Sequence, residues 1–277
     1  MTMEKPKSNP VHHALNKLYG GINMTWPKVI LFAVGTAVVT SVFLIVPVFE
    51  NTSFERMGVT FEAWIFFAVI LIANCKKPLE SALKVFVFFL ISQPLIYLLQ
   101  VPFSWMGWSL FGYYWTWFLW TLLTFPMAFI GWYIKKKNWL SLLILAPVLY
   151  LLTVDYVGAF RDIIRHFPTL LVTALFCLGQ VIVYLLVFTS NLWQKLLGFL
   201  APLAVVIGLL LAQPPVDVNA NLFLPDEPVL TEEAVVSVAD QEVAQVSLSS
   251  AGEGSTVWVE ATQVGETTFT ITDGDRE

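Results

Sequence analysis

Charge is scarce in this chain. Only 13% of its 277 residues are Asp, Glu, Lys or Arg, against roughly 25% in a soluble domain, and 57% are hydrophobic. That excludes an ordinary soluble globular protein, and also a disordered or nucleic-acid-binding one. Histidine is nearly missing: His12, His13 and His166 are all there is. His12 and His13 are neighbours, which point apart on a helix, so no metal site follows from them. Cysteine is limited to Cys75 and Cys177. None lies in the last 64 residues, so no disulfide framework exists there. The patterns H-E-x-x-H, G-x-S-x-G and the Walker loop are absent. Neither a catalytic site nor a cofactor nor a metal is expected.

The charge that is present is divided. Residues 1–213 hold 14 Lys and Arg against 7 Asp and Glu, whereas residues 214–277 hold 1 against 13. An apolar, basic-flanked body is followed by a short acidic tail. A spanning helix needs about 20 mostly apolar residues. Seven runs qualify or nearly do: Val29–Phe49, Val59–Asn74, Leu83–Phe103, Tyr113–Ile134, Trp139–Val157, Thr169–Thr189 and Leu196–Ala212. The second is short, but it is needed. With seven spans and the N-terminus inside, all 11 lysines fall on the cytoplasmic side and the four arginines on the other, as the positive-inside rule asks. Without it, Lys76 and Lys77 would lie opposite Lys135–Lys137. The sequence thus predicts three parts: a cytoplasmic segment 1–27 with an interfacial helix bearing Val11, Leu15, Leu18 and Tyr19 on one face; a transmembrane domain 28–213; and an extracytoplasmic acidic domain 214–277. The interfacial aromatics, such as Trp105, Trp108 and Trp132, read as bilayer anchors or as an aromatic cage.

An internal match runs through the spans. Ile91-Ser-Gln-Pro94-Leu-Ile-Tyr97-Leu-Leu-Gln-Val101 aligns with Ile144-Leu-Ala-Pro147-Val-Leu-Tyr150-Leu-Leu-Thr-Val154, and Leu200-Ala-Pro202 repeats Leu145-Ala-Pro147. Spans two–three, four–five and six–seven are therefore candidates for three copies of one hairpin, parallel repeats of a kind found in some transporters. Shared apolar composition is the alternative. Pro47, Pro94, Pro147 and Pro202 each fall in an upward span, where a freed carbonyl needs a partner.

Ionisable residues within spans are usually functional. Asp155 and Glu62 are read here as lying near the outer ends of their spans, with no carboxylate pair inside the membrane. Glu80 and Lys84 have the spacing of a local ion pair. At mid-depth stand Gln93, Gln100, Thr121, Thr124, Cys177 and Gln180. They serve either as interhelical hydrogen bonders or, with Asp155, as the lining of a polar pathway through Gln93, Gln100 and Gln180. At the outer surface Arg161 and Arg165 share a helical face and suit an anion, a lipid headgroup or the acidic tail.

In the tail, Val235–Val238, Val243–Leu248, Ser255–Thr262 and Thr267–Thr272 read as strands. Val257, Val259 and Ala261 alternate with polar neighbours, and Phe269 and Ile271 are expected inward with Thr268 and Thr270 outward. The stretch Val236-Ser-Val-Ala-Asp240-Gln-Glu-Val243-Ala244-Gln-Val246, then Val257–Ala261 and Gly265-Glu-Thr-Thr-Phe-Thr-Ile-Thr272, resembles bacterial immunoglobulin-like surface domains. The resemblance covers about a fifth of the chain and leaves little room for the family's first strands. It implies an exported, non-catalytic β module for display or adhesion.

The fold expected is an α-helical multi-pass membrane bundle of seven helices with a small C-terminal antiparallel, Ig-like β module. The expected role is non-enzymatic: anchoring and presenting that module at a bacterial plasma membrane. Expected partners are the lipid bilayer, and an extracellular protein or cell-wall component at the tail, with no nucleic acid. The alternative is a small transporter or permease subunit for a neutral or amphipathic solute.

Overall fold

A computed structural model of the chain describes residues 10–104, 106–211, 219–223, 234–250, 255–263 and 265–273. The chain divides into two compact units, residues 1–207 and 208–277. The Gln213-Pro214-Pro215 stop and the charged residues Lys5, Lys7 and Arg276 lie outside the described residues, as does Trp105.

The first unit is helical: α1 Pro10–Leu18, α2 Trp26–Ile45, α3 Ser53–Val59, α4 Phe61–Asn74, α5 Pro78–Gln100, α6 Phe111–Gly131, α7 Trp139–His166, α8 Leu171–Phe188 and α9 Leu192–Leu211. Among the described residues, six helices are long and apolar enough to cross a membrane: α2, α5, α6 with its flanking 3-10 turns, α7, α8 and α9. These point to a multi-pass membrane protein. The expected second span is broken. Thr60 is extended, its N–H and hydroxyl both close α3 on the Arg56 carbonyl, and α4 starts afresh at a 64° bend. Fourteen residues of α4 rise only about 21 Å, short of a hydrocarbon core of about 30 Å.

Local chemistry sets the helix ends. Pro27 and Pro78 occupy first-turn positions of α2 and α5, where no N–H is missed. Asn138 caps α7 reciprocally: its side chain accepts from Ser141 N and Ser141 Oγ accepts from Asn138 N, both at 3.1 Å. Lys137, at φ 54°, makes the left-handed turn before it. Small residues let α2 approach α5: Val29, Ala33 and Ala37 are wholly buried, and Ser41 Oγ donates to the Ile96 carbonyl at 3.4 Å. Ser81 Oγ does the same to Ala128 on α6, at 3.2 Å. Hydroxyl and small-residue contacts of this kind suit helices packed in lipid.

The closest helix pairs are α2/α5, α5/α6 and α7/α8, not the hairpins α4/α5, α6/α7 and α8/α9 of the matching sequence stretches. Corresponding residues also differ in setting. Tyr97 packs on Phe111 and Tyr114, whereas Tyr150 is exposed. The matching stretches thus sit in different packing surroundings. Helix α9 is the least embedded; only Gln194 and Gly198 are buried along it. Gly198 lets it approach Leu185, whose Cδ2 occupies the space that a Cβ there would need.

Helix α1 docks on the bundle through Leu15 and Leu18, followed by buried Tyr19, edge-on to Tyr184 and Phe188. Asn74 secures this corner, donating to the Leu18 carbonyl at 2.6 Å and accepting from Ile22 N at 2.8 Å. At the same end, the Cys75 carbonyl accepts from Lys135 Nζ (2.6 Å) and Trp132 Nε1 (3.0 Å), and Ser190 Oγ donates to the Lys137 carbonyl at 2.8 Å. The loops bearing Lys76, Lys77 and Lys135–Lys137 thus meet at one end of the bundle, called here the lysine end. At the opposite, α3 end, Ser53 Oγ accepts from Thr173 N and donates to the Thr169 carbonyl, each at 3.2 Å.

The second unit is β-structure: β1 Asn219–Phe223, β2 Val235–Val238, β3 Ala244–Ser250, β4 Ser255–Ala261 and β5 Phe269–Thr272. Two antiparallel sheets form, ordered β1-β4-β3 and β2-β5. In β4, Val257 is wholly buried while Trp258 and Glu260 are exposed, the alternation expected of one wet face. In and beside β5 the contrast is weaker: Thr268 is exposed, while Phe269, Thr270 and Ile271 are all half-buried. Asp240 shapes the β2–β3 turn by accepting from Glu242 N at 2.9 Å, and Gly265 leaves room for Val243, whose Cγ2 lies 2.8 Å from where a Cβ would stand.

Candidate functional site

Two polar places lie inside the helical bundle. The first is built on α5. Gln93 and Gln100 are seven residues apart, two helical turns, and share a face. Both line a cleft of about 390 Å³ with Tyr97, Tyr113, Trp117 and Leu44. Gln100 Nε2 is satisfied by the Ile96 carbonyl at 3.2 Å. Gln93 is 3% exposed, and its Nε2 has no partner. Thr121 and Thr124 stay local, bonding carbonyls of their own helix.

The second place lies where α3, α4, α7 and α8 meet. Glu62, in the first turn of α4, is 0% exposed; the Thr60 side chain and the Glu62 backbone N–H lie near its carboxylate, but neither oxygen has a donor in full hydrogen-bond geometry. Its backbone carbonyl accepts from Gln180 Nε2 at 3.0 Å, and Gln180 Oε1 accepts from Tyr184 at 2.6 Å. Gln180 is the tenth of the 18 residues of α8, so Glu62 lies level with the middle of a membrane-length helix. The carboxyl of Asp155 on α7 is within side-chain hydrogen-bonding reach of Glu62, and its Oδ2 is also buried without a partner. Asp155, Gly158 and Asp162 follow at i, i+3 and i+7 along one face of α7. Arg56 of α3 lies over that face: its Nη2 is 3.1 Å from where a Gly158 Cβ would stand, and its Nη1 is 3.6 Å from Asp162 Oδ2. Its guanidinium acts electrostatically on both Glu62 and Asp155. The Cys177 thiol is buried beside the same three groups.

This arrangement corrects the sequence reading on two points. Glu62 is wholly buried in the bundle, and a carboxyl pair inside the bundle does exist; Asp155, its partner, is half-buried. The break at Thr60 starts α4 deep in the bundle, so a residue near the start of an apolar run ends at mid-depth. The signal available was an acid within an apolar run in two places. Nothing in the sequence joined positions 62 and 155.

The structure therefore separates the four residues proposed for a polar pathway. Gln93 and Gln100 share the α5 cleft, while Gln180 and Asp155 both contact Glu62. The prolines are separate too. Pro147 lines an apolar groove with Phe61, Trp64 and Trp120, and Pro202 lines another with Trp139 and Tyr150. Of the arginine pair, Arg161 is half-buried near the end of α7, and the side chain of Arg165 lies outside the described residues. Glu80 and Lys84 form the expected ion pair at 2.5 Å; Lys84 is buried and also donates to the Met24 carbonyl. Among the described residues, no group of three or more His, Cys, Asp or Glu could hold a metal ion. Compared with protein-family models, with curated proteins and with solved structures, the chain matches none.

Proposed function

We propose that the chain is a non-enzymatic multi-pass protein of a bacterial plasma membrane, whose helices anchor a small acidic β module and present it outside the cell. The observation that carries this reading is the joining, in one chain, of six membrane-length apolar helices to a separately compact β unit. Charge gives the direction. The lysine end of the bundle marks the cytoplasmic side under the positive-inside rule. Counting the bent α3–α4 pair as a span makes seven crossings, which carry the tail to the other side. The tail's sequence resemblance to bacterial immunoglobulin-like surface domains, and its antiparallel sheets, support a display or adhesion module with a protein or cell-wall partner. The test is a pair of fusions to a reporter active only outside the cytoplasm. One placed after Glu277 is expected to be active and one after Lys137 silent; the reverse pattern would end the display reading.

A second reading, passage of a neutral or amphipathic solute, is favoured by the aromatic-lined cleft that holds the unpartnered Gln93 amide. Under it, Gln93→Leu would abolish uptake of a neutral amphipathic dye while the protein still inserts. Under the display reading, dye uptake is the same with and without the substitution.

A further inference from the structure

We propose that Glu62 and Asp155 form a binding site for one proton, exchanged with water in the cleft at the α3 end. The argument begins with the orphaned oxygens. A buried carboxylate needs donors or a cation; the Thr60 side chain and the Glu62 backbone N–H lie near the Glu62 oxygens, neither in full hydrogen-bond geometry, and the one cation acting on it, Arg56, is shared with Asp155 and Asp162. Among the described residues, the charged groups acting on Glu62 are Asp155 and Arg56, and those acting on Asp155 are Arg56 and Glu62. Asp162 faces Arg56 from the same side of α7. Helix α8 contributes Cys177 and Tyr184, both neutral, and neutral Gln180. The pair itself is two carboxyls facing one guanidinium, which Asp162 also engages. Two carboxylates at hydrogen-bonding reach cannot both stay ionised in such a site. One added proton supplies the missing donor and removes one negative charge.

Access is built in. Arg56 and Asp162 both line a polar cleft of about 620 Å³ with Asn51, Thr52, Glu55 and Thr169. Asp155 is half-buried and Glu62 fully so, which makes Asp155 the entry member. Hydronium in the cleft gives its proton to an Asp155 oxygen; an O–H bond forms, water is left behind, and the new hydroxyl donates to Glu62. Arg56 keeps its charge throughout, since a guanidinium does not deprotonate, and offsets the carboxylate that remains. Gly158 is what lets Arg56 lie there. The site stands whichever way the chain is oriented in the membrane.

The experiment is infrared difference spectroscopy of the purified full chain in lipid nanodiscs, titrated with acid and base around neutrality. A protonated-carboxyl band is expected in the wild type. Glu62→Gln and Asp155→Asn, each close to isosteric, are each expected to remove it, while Cys177→Ala leaves it. Transfer to heavy water should shift the band at once, because the site exchanges with the cleft. A wild type without the band would overturn the proposal, and this needs no variant to fold. So would a band that persists in both carboxyl variants, or one displaced by added sodium, which would mark a metal-cation site instead.

Discussion

The two polar places in the bundle hold comparable unpartnered atoms and very different chemistry. Around Gln93 the orphan is a neutral amide nitrogen beside a cleft of Tyr97, Tyr113 and Trp117. Around Glu62 the orphans are carboxylate oxygens facing a second carboxyl, with an arginine over the α7 face. An unmet amide hydrogen costs about 1–3 kcal/mol and a single water repairs it. An unmet carboxylate costs several kcal/mol, and only a proton or a cation repairs it. The first place tolerates neglect, and the second obliges α3, α4, α7 and α8 to be assembled around it. That difference ranks the substitutions.

The largest effect is expected at Arg56. Arg56→Met keeps much of the side chain's bulk but leaves Asp162 and the ionised member of the carboxyl pair without a counter-ion, a loss of about 2 kcal/mol, below the range for a fully buried pair because Arg56 and Asp162 are 32% and 42% exposed. Loss of helical ellipticity in a denaturing-detergent titration measures it. Retention of full stability would mean that the guanidinium does not hold the acidic pair.

The glutamines sharpen the contrast with opposite signs. Gln180→Leu removes the donor to the Glu62 carbonyl and the acceptor for Tyr184, for a loss of about 1 kcal/mol. Gln93→Leu removes an amide that has no partner and should be neutral or stabilising by a few tenths of a kcal/mol. If both destabilise equally in the same titration, the α5 cleft depends on its amide as much as the Glu62 site does.

The smallest change in stability accompanies the clearest change in reactivity. Cys75, just past α4, is buried, and burial pushes its thiol up to about 11. The folded-state value is raised, so any stability linked to this thiol is complete below its ordinary range and is lost as pH rises through about 11. A soluble maleimide at neutral pH should leave Cys75 unlabelled until the protein is unfolded. Rapid labelling of the native chain would show that the lysine end opens.

Much of the helical unit was legible because membrane helices advertise themselves by length. Helices α2 and α5–α9 all overlap runs read from the sequence. The α3–α4 break was not legible, because it depends on one residue, Thr60, adopting extended backbone where an apolar run gives no warning. The same blindness hid the carboxyl pair: α4 begins inside the bundle only because of that break. Gln93 and Gln100 were readable as neighbours, since they lie two turns apart on one helix. In the tail, Val- and Thr-rich alternation gave β2–β5 to within a few residues. Strand β1, Asn-Ala-Asn-Leu-Phe, escaped because asparagine disfavours strands and none of its residues is β-branched. Its backbone pairing with β4, Asn219 against Glu260 through Phe223 against Thr256, is what makes it a strand.

The central claim, a lysine end inside and a β module outside, is tested most directly by cysteine labelling of intact cells. Cys75 and Cys177 are both buried, so the wild-type chain is a silent background. Ser237→Cys in β2 and Lys136→Cys beside the lysine-end turn each place a thiol at an exposed position. A membrane-impermeant maleimide is expected to label the Ser237→Cys protein on whole cells, and the Lys136→Cys protein only after the cells are opened. Labelling of Lys136→Cys on whole cells, with Ser237→Cys protected, would contradict the claim.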